Sequence, residues 1–144
     1  MNKQVVIDAS LAVMWAVPEI HSVQALLLAE KWGLEDTGLI APCLLLTEAS
    51  NALYKRVVRR EMDLPQAQEA LDVIMAFGIE IFEEGGLHHR ALELSQQLGQ
   101  PATYDAHYLA LAIIQDCPLW TGDKRFYHGA RKSYPQVHWV GEAG

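Results

Sequence analysis

Cysteine is scarce in this chain, with only Cys43 and Cys117 among 144 residues. Neither belongs to a CxxC pair or sits at ligand spacing from a histidine, which argues against a disulfide framework or structural zinc. Both are expected to be buried free thiols. Positive charge is also in short supply, at 11 Lys+Arg against 18 Asp+Glu for a formal net charge of -7. That balance excludes a general basic surface binding nucleic acid by phosphate neutralisation alone. No apolar run approaches the ~20 residues of a membrane span: the richest, Leu39 to Leu46, is interrupted by Pro42 and ends at Thr47-Glu48. After Met1-Asn2-Lys3-Gln4, the run Val5-Val6-Ile7 is too short for an export signal, so the cytoplasm is the expected compartment. The chain has no GxxxxGK[ST], GxGxxG or GxSxG element, and its six histidines show no HExxH or similar spacing. The common nucleotide-binding, serine-hydrolase and zinc-protease readings are thereby removed. Repeats, low-complexity tracts and linkers are absent too, which predicts a single domain over residues 1–144.

What is present is an ordinary globular composition, 51% hydrophobic and 20% charged. A chain of this length buries roughly two-thirds of its unfolded surface. Short β-branched or aromatic runs predict strands at Val5–Ile7, Leu39–Ala41, Ile79–Ile81, Leu119–Thr121 and Val137–Trp139. Between them, helical patterns cover Ser10–Ala16, His21–Trp32, Leu44–Arg60, Pro65–Phe77, Leu87–Leu98 and Thr103–Asp116. This alternation predicts an α/β fold with a mostly parallel sheet and helices on both faces. In such sheets ligands gather beyond the carboxyl ends of the strands.

Acids occupy those places. Asp8 directly follows the first strand, and Asp123 follows Leu119-Trp120-Thr121 after one glycine. Each also suits a turn or helix N-cap. Asp105 opens a helix that is apolar almost all round and falls on the stripe of Leu109 and Ala112, so it projects toward packed structure. Thr103 is a natural N-cap there, and an acid in the first turn also suits the helix dipole. Glu48 lies opposite the stripe Leu46, Leu53 and Val57, in line with Ala52, Lys55 and Arg59, which describes a solvated face. Its small neighbours Ala49, Ser50 and Ala52 would nevertheless let another element or a ligand come close.

Four gathered carboxylates repel one another and stay ionised where a cation compensates. Hard oxygen donors suit Mg²⁺ or Mn²⁺, which would orient a water for attack on phosphorus. The matching chemistry is phosphodiester hydrolysis. Ser10, Asn51 and Thr121 lie beside the acids, where they would hold water or a phosphate oxygen or else make local capping bonds. Lys124-Arg125 after Asp123, and Lys55-Arg56 with Arg59-Arg60 beyond Glu48, either rim an acidic cleft or form solvated faces.

Four segments together resemble the PIN-domain proteins, and more narrowly the VapC toxins of toxin–antitoxin modules: VVIDASLAVMWAVPE (5–19), LIAPCLLLTEASNAL (39–53), ATYDAHYLALA (102–112) and LWTGDKRFY (119–127). They occur in family order across nearly the whole chain. The resemblance implies a three-layer α/β/α sandwich around a parallel sheet of about five strands. It carries Asp8, Glu48, Asp105 and Asp123 onto the family's acidic metal-binding and catalytic positions, with Ser10, Asn51 and Thr121 supporting them. It also implies a Mg²⁺- or Mn²⁺-dependent endoribonuclease acting on RNA, a homodimer, and inhibition by a cognate antitoxin. Many relatives carry Lys after the first Asp where this chain has Met14, so a phosphate contact from the first helix is not implied. A non-catalytic interaction module and a small-molecule phosphohydrolase are the alternatives, although the DxDx[TV] pattern of the latter is missing at Asp8-Ala9-Ser10.

Overall fold

The run Val5-Val6-Ile7 lies at the centre of a five-stranded sheet and is at most 2% exposed, as expected of a parallel strand covered on both faces. In the computed structural model, which describes residues 3–143, the strands are β1 (Gln4–Ile7), β2 (Gly38–Pro42), β3 (Glu80–Phe82), β4 (Leu119–Thr121) and β5 (Val137–Trp139). Residues 1, 2 and 144, the ends of the expected domain and the start of the segment weighed as an export signal, lie outside the described residues. Sheet order is β3-β2-β1-β4-β5 and every pairing is parallel, with Val6 opposite Ile40 on one side and Leu119 on the other.

Among the described residues, seven α-helices flank the sheet: α1 (Ala9–Ala16), α2 (Ser22–Leu34), α3 (Leu44–Val58), α4 (Leu64–Met75), α5 (Gly85–Leu98), α6 (Tyr104–Ile114) and α7 (Lys124–Ala130). The fold is a three-layer α/β/α sandwich. Helices α1 to α4 pack on one another, while α5 pairs with α6, which lies over β1, β2 and β4. Trp15 ties α1 to α2 by donating its indole N–H to the Ala25 carbonyl at 2.9 Å.

Local chemistry sets the helix ends. Asp63 and Gln66 form a reciprocal capping box that starts α4, and Gly99 takes the left-handed conformation (φ 66°) that ends α5. Helix α7 was not anticipated, because seven residues give too little periodicity to register; the Asp123 carboxylate starts it. Thr103 occupies the N-cap position of α6 but makes no side-chain capping bond; its carbonyl instead accepts from His107 Nδ1 at 2.7 Å. Cys117 is a half-buried free thiol, and Cys43, expected to be buried, is exposed. Cys43 sits in the turn before α3, whose inward positions are taken by Leu45, Ala49 and Leu53.

This topology determines where side chains can meet. The strand order reverses about β1, so the carboxyl end of β1 is a switch point at which flanking connections diverge and leave a crevice. Helix α3 leaves β2 at that same edge. Because α6 feeds β4 through the short turn 115–118, its N-terminus must also lie there. Truncating Leu109, fully buried in α6, should cost about 2–5 kcal/mol, read as a lower urea midpoint with an unchanged slope.

Candidate active site

Asp8 is the most constrained polar group at this edge. It is 5% exposed and caps α1, with Oδ1 accepting from the Leu11 amide at 3.0 Å and from Ser10 Oγ at 2.7 Å. Thr121 Oγ1, from the end of β4, donates to Oδ2. Each hydroxyl is itself fed by a backbone donor, Gly122 N–H to Ser10 Oγ and Asp123 N–H to Thr121 Oγ1, both at 2.9 Å. Both hydroxyl protons are therefore committed to Asp8. Ser10 and Thr121 thereby hold the carboxylate in place. Burial raises the Asp8 pKa, and these donors oppose the rise.

The other three acids face the same cleft, which encloses about 480 Å³ and is lined by Asp8, Glu48, Asp105 and Asp123 together with Met14, Tyr108 and the α3 side chains. Asp123 Oδ1 accepts from the Arg125 and Phe126 amides at 2.9 and 3.2 Å, so its capping and cleft-lining roles coexist. Asp105, half-buried in the first turn of α6, has its pKa pushed up to about 6, first by burial and then by the charges of Asp8, Asp123 and Glu48.

Glu48 leaves the solvated face that helical periodicity alone describes and lines the cleft, where the family resemblance placed it. The buried stripe of α3 is Leu45, Ala49 and Leu53, and Leu46 and Val57 are only half-buried. This turns Glu48 into the cleft, where its Oε1 accepts from the Tyr108 hydroxyl at 2.6 Å. Tyr108 is a site residue that sequence reasoning missed, since it counted as one more apolar position of α6. A hydroxyl one turn after Asp105 in an otherwise aliphatic helix was the available signal. Desolvation and Glu48 raise its pKa, keeping it a proton donor. Asn51 lines the cleft but is exposed.

The basic residues divide. Lys55, Arg56 and Arg59 line the cleft. Lys124, expected near its rim, instead lies over the Trp139 ring at 5.0 Å from the centroid, and Arg60 and Arg125 do not line the cleft either.

Among the described residues, no group of three or more His, Cys, Asp or Glu is arranged to hold an ion directly. The acids share a cleft without closing into a cage. That geometry fits a hydrated Mg²⁺ or Mn²⁺, which takes one or two carboxylates directly and keeps waters for the rest. The donors are all hard oxygens, and a cation would relieve the repulsion that raises the Asp105 pKa.

A family model described as PIN domain matches residues 6–137. The chain belongs to the PIN domain family. It is 39% identical over 87 residues to the protein named Ribonuclease VapC1 in two strains of Mycobacterium tuberculosis. That match covers 59% of this chain and 62% of the relative, so less than two-thirds of the relative's length is matched. The crystal structure of PAE2754 from Pyrobaculum aerophilum shares the fold, with a TM-score of 0.70 over 98% of this chain and 93% of that one, at 22% identity.

Gly122 of this PIN domain is fixed by close approach to Ser10 and Met14. A Cβ on Gly122 would lie 2.7 Å from Met14 Cε, 3.0 Å from Ser10 Oγ and 3.1 Å from the Ser10 carbonyl carbon. The methionine tip can swing aside, but the Ser10 backbone cannot. Gly122→Ala should therefore displace Ser10 from Asp8 and destabilise the domain by about 1–3 kcal/mol, measurable by denaturant titration. The raised pKa of Asp105 gives a second expectation. The folded metal-free protein holds the Asp105 proton more tightly than the unfolded chain, whose pKa is near the ordinary 3.8. The resulting stability is fully present below pH 3.8 and is lost as pH rises through about 6. In EDTA, the melting temperature of the wild type relative to Asp105→Asn should fall across that window; a difference independent of pH would contradict it.

Proposed function

We propose that this PIN domain is a divalent-metal-dependent endoribonuclease of the VapC type, acting in the cytoplasm as the toxin of a type II toxin–antitoxin module. The observation that carries this reading is the cleft itself: carboxylates from four separate elements, Asp8, Glu48, Asp105 and Asp123, face one space at the switch point of the sheet. The relative named Ribonuclease VapC1 supports the substrate class. A bound Mg²⁺ or Mn²⁺ would supply activation of water and neutralisation of charge developing at the phosphodiester.

The chain's own residues would do the rest. Asp8, its orientation fixed by Ser10, Thr121 and the Leu11 amide, presents a carboxylate that needs no reorganisation when a ligand arrives. Tyr108 occupies one oxygen of Glu48 and leaves the other for the cleft. Asp105 and the second oxygen of Asp123 complete the acidic wall. As a toxin, the protein would form a homodimer and be restrained by a cognate antitoxin covering this cleft.

Purified protein with Mg²⁺ or Mn²⁺ should cleave RNA and lose activity in EDTA. Asp8→Asn and Asp105→Asn should each lower the rate by about 10²-fold or more, with folding checked by circular dichroism. Undiminished cleavage by both variants would remove these acids from the mechanism. Hydrolysis of a simple phosphomonoester without RNA cleavage would reassign the domain to small-molecule phosphate chemistry. Growth arrest on expression, abolished by Asp8→Asn and relieved by a small neighbouring gene product, tests the toxin role.

A further inference from the structure

The cleft has a second wall that the acids do not use. Beyond Glu48, α3 continues along it through Ala52 and Lys55 to Arg59, the residue that caps its end, positions spaced by four, three and four residues and hence on one stripe. At 1.5 Å per residue, Lys55 lies about 10 Å and Arg59 about 16 Å past Glu48. The stripe thus passes from acid to base within one cleft.

The three cations of this wall are engaged differently. Arg56 is 2.9 Å from Glu19 in a pair whose side chains are only 21% and 29% exposed, tying the segment after α1 to α3, and its Nη1 also lies 3.8 Å from Glu61. Arg59 donates through Nε and Nη2 to both oxygens of Glu61 at 3.1 Å, on the open surface. Exposed pairs of this kind are weak and easily exchanged for another anion. Lys55 is exposed and has no ion-pair partner among the described residues. Cations in the last turn of a helix do answer its dipole, but that would hold for any face of α3 and does not explain why this one borders the acids. With a net charge of -7, much of the surface repels a polyanion, which limits the directions in which a strand can leave the acidic site.

We propose that α3 is an RNA backbone track in which Lys55 is the phosphate anchor and Arg59, exchanging Glu61 for phosphate, is the next contact. These contacts lie about 10 and 16 Å along the helix from Glu48, beyond the phosphate at the acids. The proposal rests on the nuclease reading for the position of that phosphate. Both residues are positioning groups; neither touches the reacting atoms.

The test uses the full chain with a short labelled single-stranded RNA, read by cleavage kinetics with Mn²⁺ and by anisotropy in an Asp8→Asn background. Lys55→Gln should raise KM by about three- to tenfold at unchanged kcat. It should also reduce the slope of log affinity against log salt by about 0.7, the share of one phosphate contact on a single strand. Lys55→Arg should restore both, and Glu61→Gln, by freeing Arg59, should tighten binding. If the wild type cleaves RNA while Lys55→Gln keeps its KM and salt slope, or loses kcat instead, the track is overturned and the nuclease reading stands. Absence of cleavage with binding still weakened by Lys55→Gln would overturn the nuclease reading and leave the track. Neither binding nor cleavage would overturn both.

Discussion

The Asp8 carboxylate joins β1 to β4 through Thr121 and starts α1 through the Leu11 amide, so a single charged group orders the carboxyl edge of the sheet. Burying a carboxylate is costly unless its oxygens are satisfied. Here Ser10, Thr121 and the Leu11 amide donate to it, and the Gly122 and Asp123 amides orient the two hydroxyls. Gly122 has no side chain because a Cβ there would occupy the space of Ser10 and Met14. The position of Asp123 follows from the same network, since its amide is the donor that fixes Thr121.

Electrostatics explains why the remaining acids are arranged more loosely. Glu48, Asp105 and Asp123 share one cleft with Asp8, and burial first, then their mutual repulsion, raises the pKa of Asp105. A cage tight enough to hold an ion by four carboxylates would magnify that repulsion. An open cleft keeps the carboxylates apart and would leave room for a hydrated cation. The overall charge of -7 does not describe this cleft, where the acids stand beside Lys55, Arg56 and Arg59.

Much of the architecture was legible in the linear chain. All five β-branched or aromatic runs became strands, two of them with the expected ends, Leu119–Thr121 and Val137–Trp139. The helices between them shifted by a few residues where capping chemistry, such as the Asp63–Gln66 box, set the true ends. Asp8 and Asp123 were readable because residues after parallel strands reach the ligand edge by topology alone. Cys43 and α7 were not: the fate of one residue at a helix start, or of seven in a helix, depends on packing that periodicity does not register.

The sequence by itself determined the α/β alternation, the parallel sheet and the presence of acids at its carboxyl edge, because these follow from local propensity and the rules of βαβ connection. Only the tertiary structure decided which way those side chains face. A helical wheel for α3 cannot know that Leu45, Ala49 and Leu53 are the inward positions, so it sent Glu48 to solvent; packing turned it toward Tyr108 and the cleft. In the same way, Ser10 and Thr121, 111 residues apart, became partners of one carboxylate only when β1 and β4 lay side by side. Contacts across that separation depend on strand pairing, which no local pattern encodes.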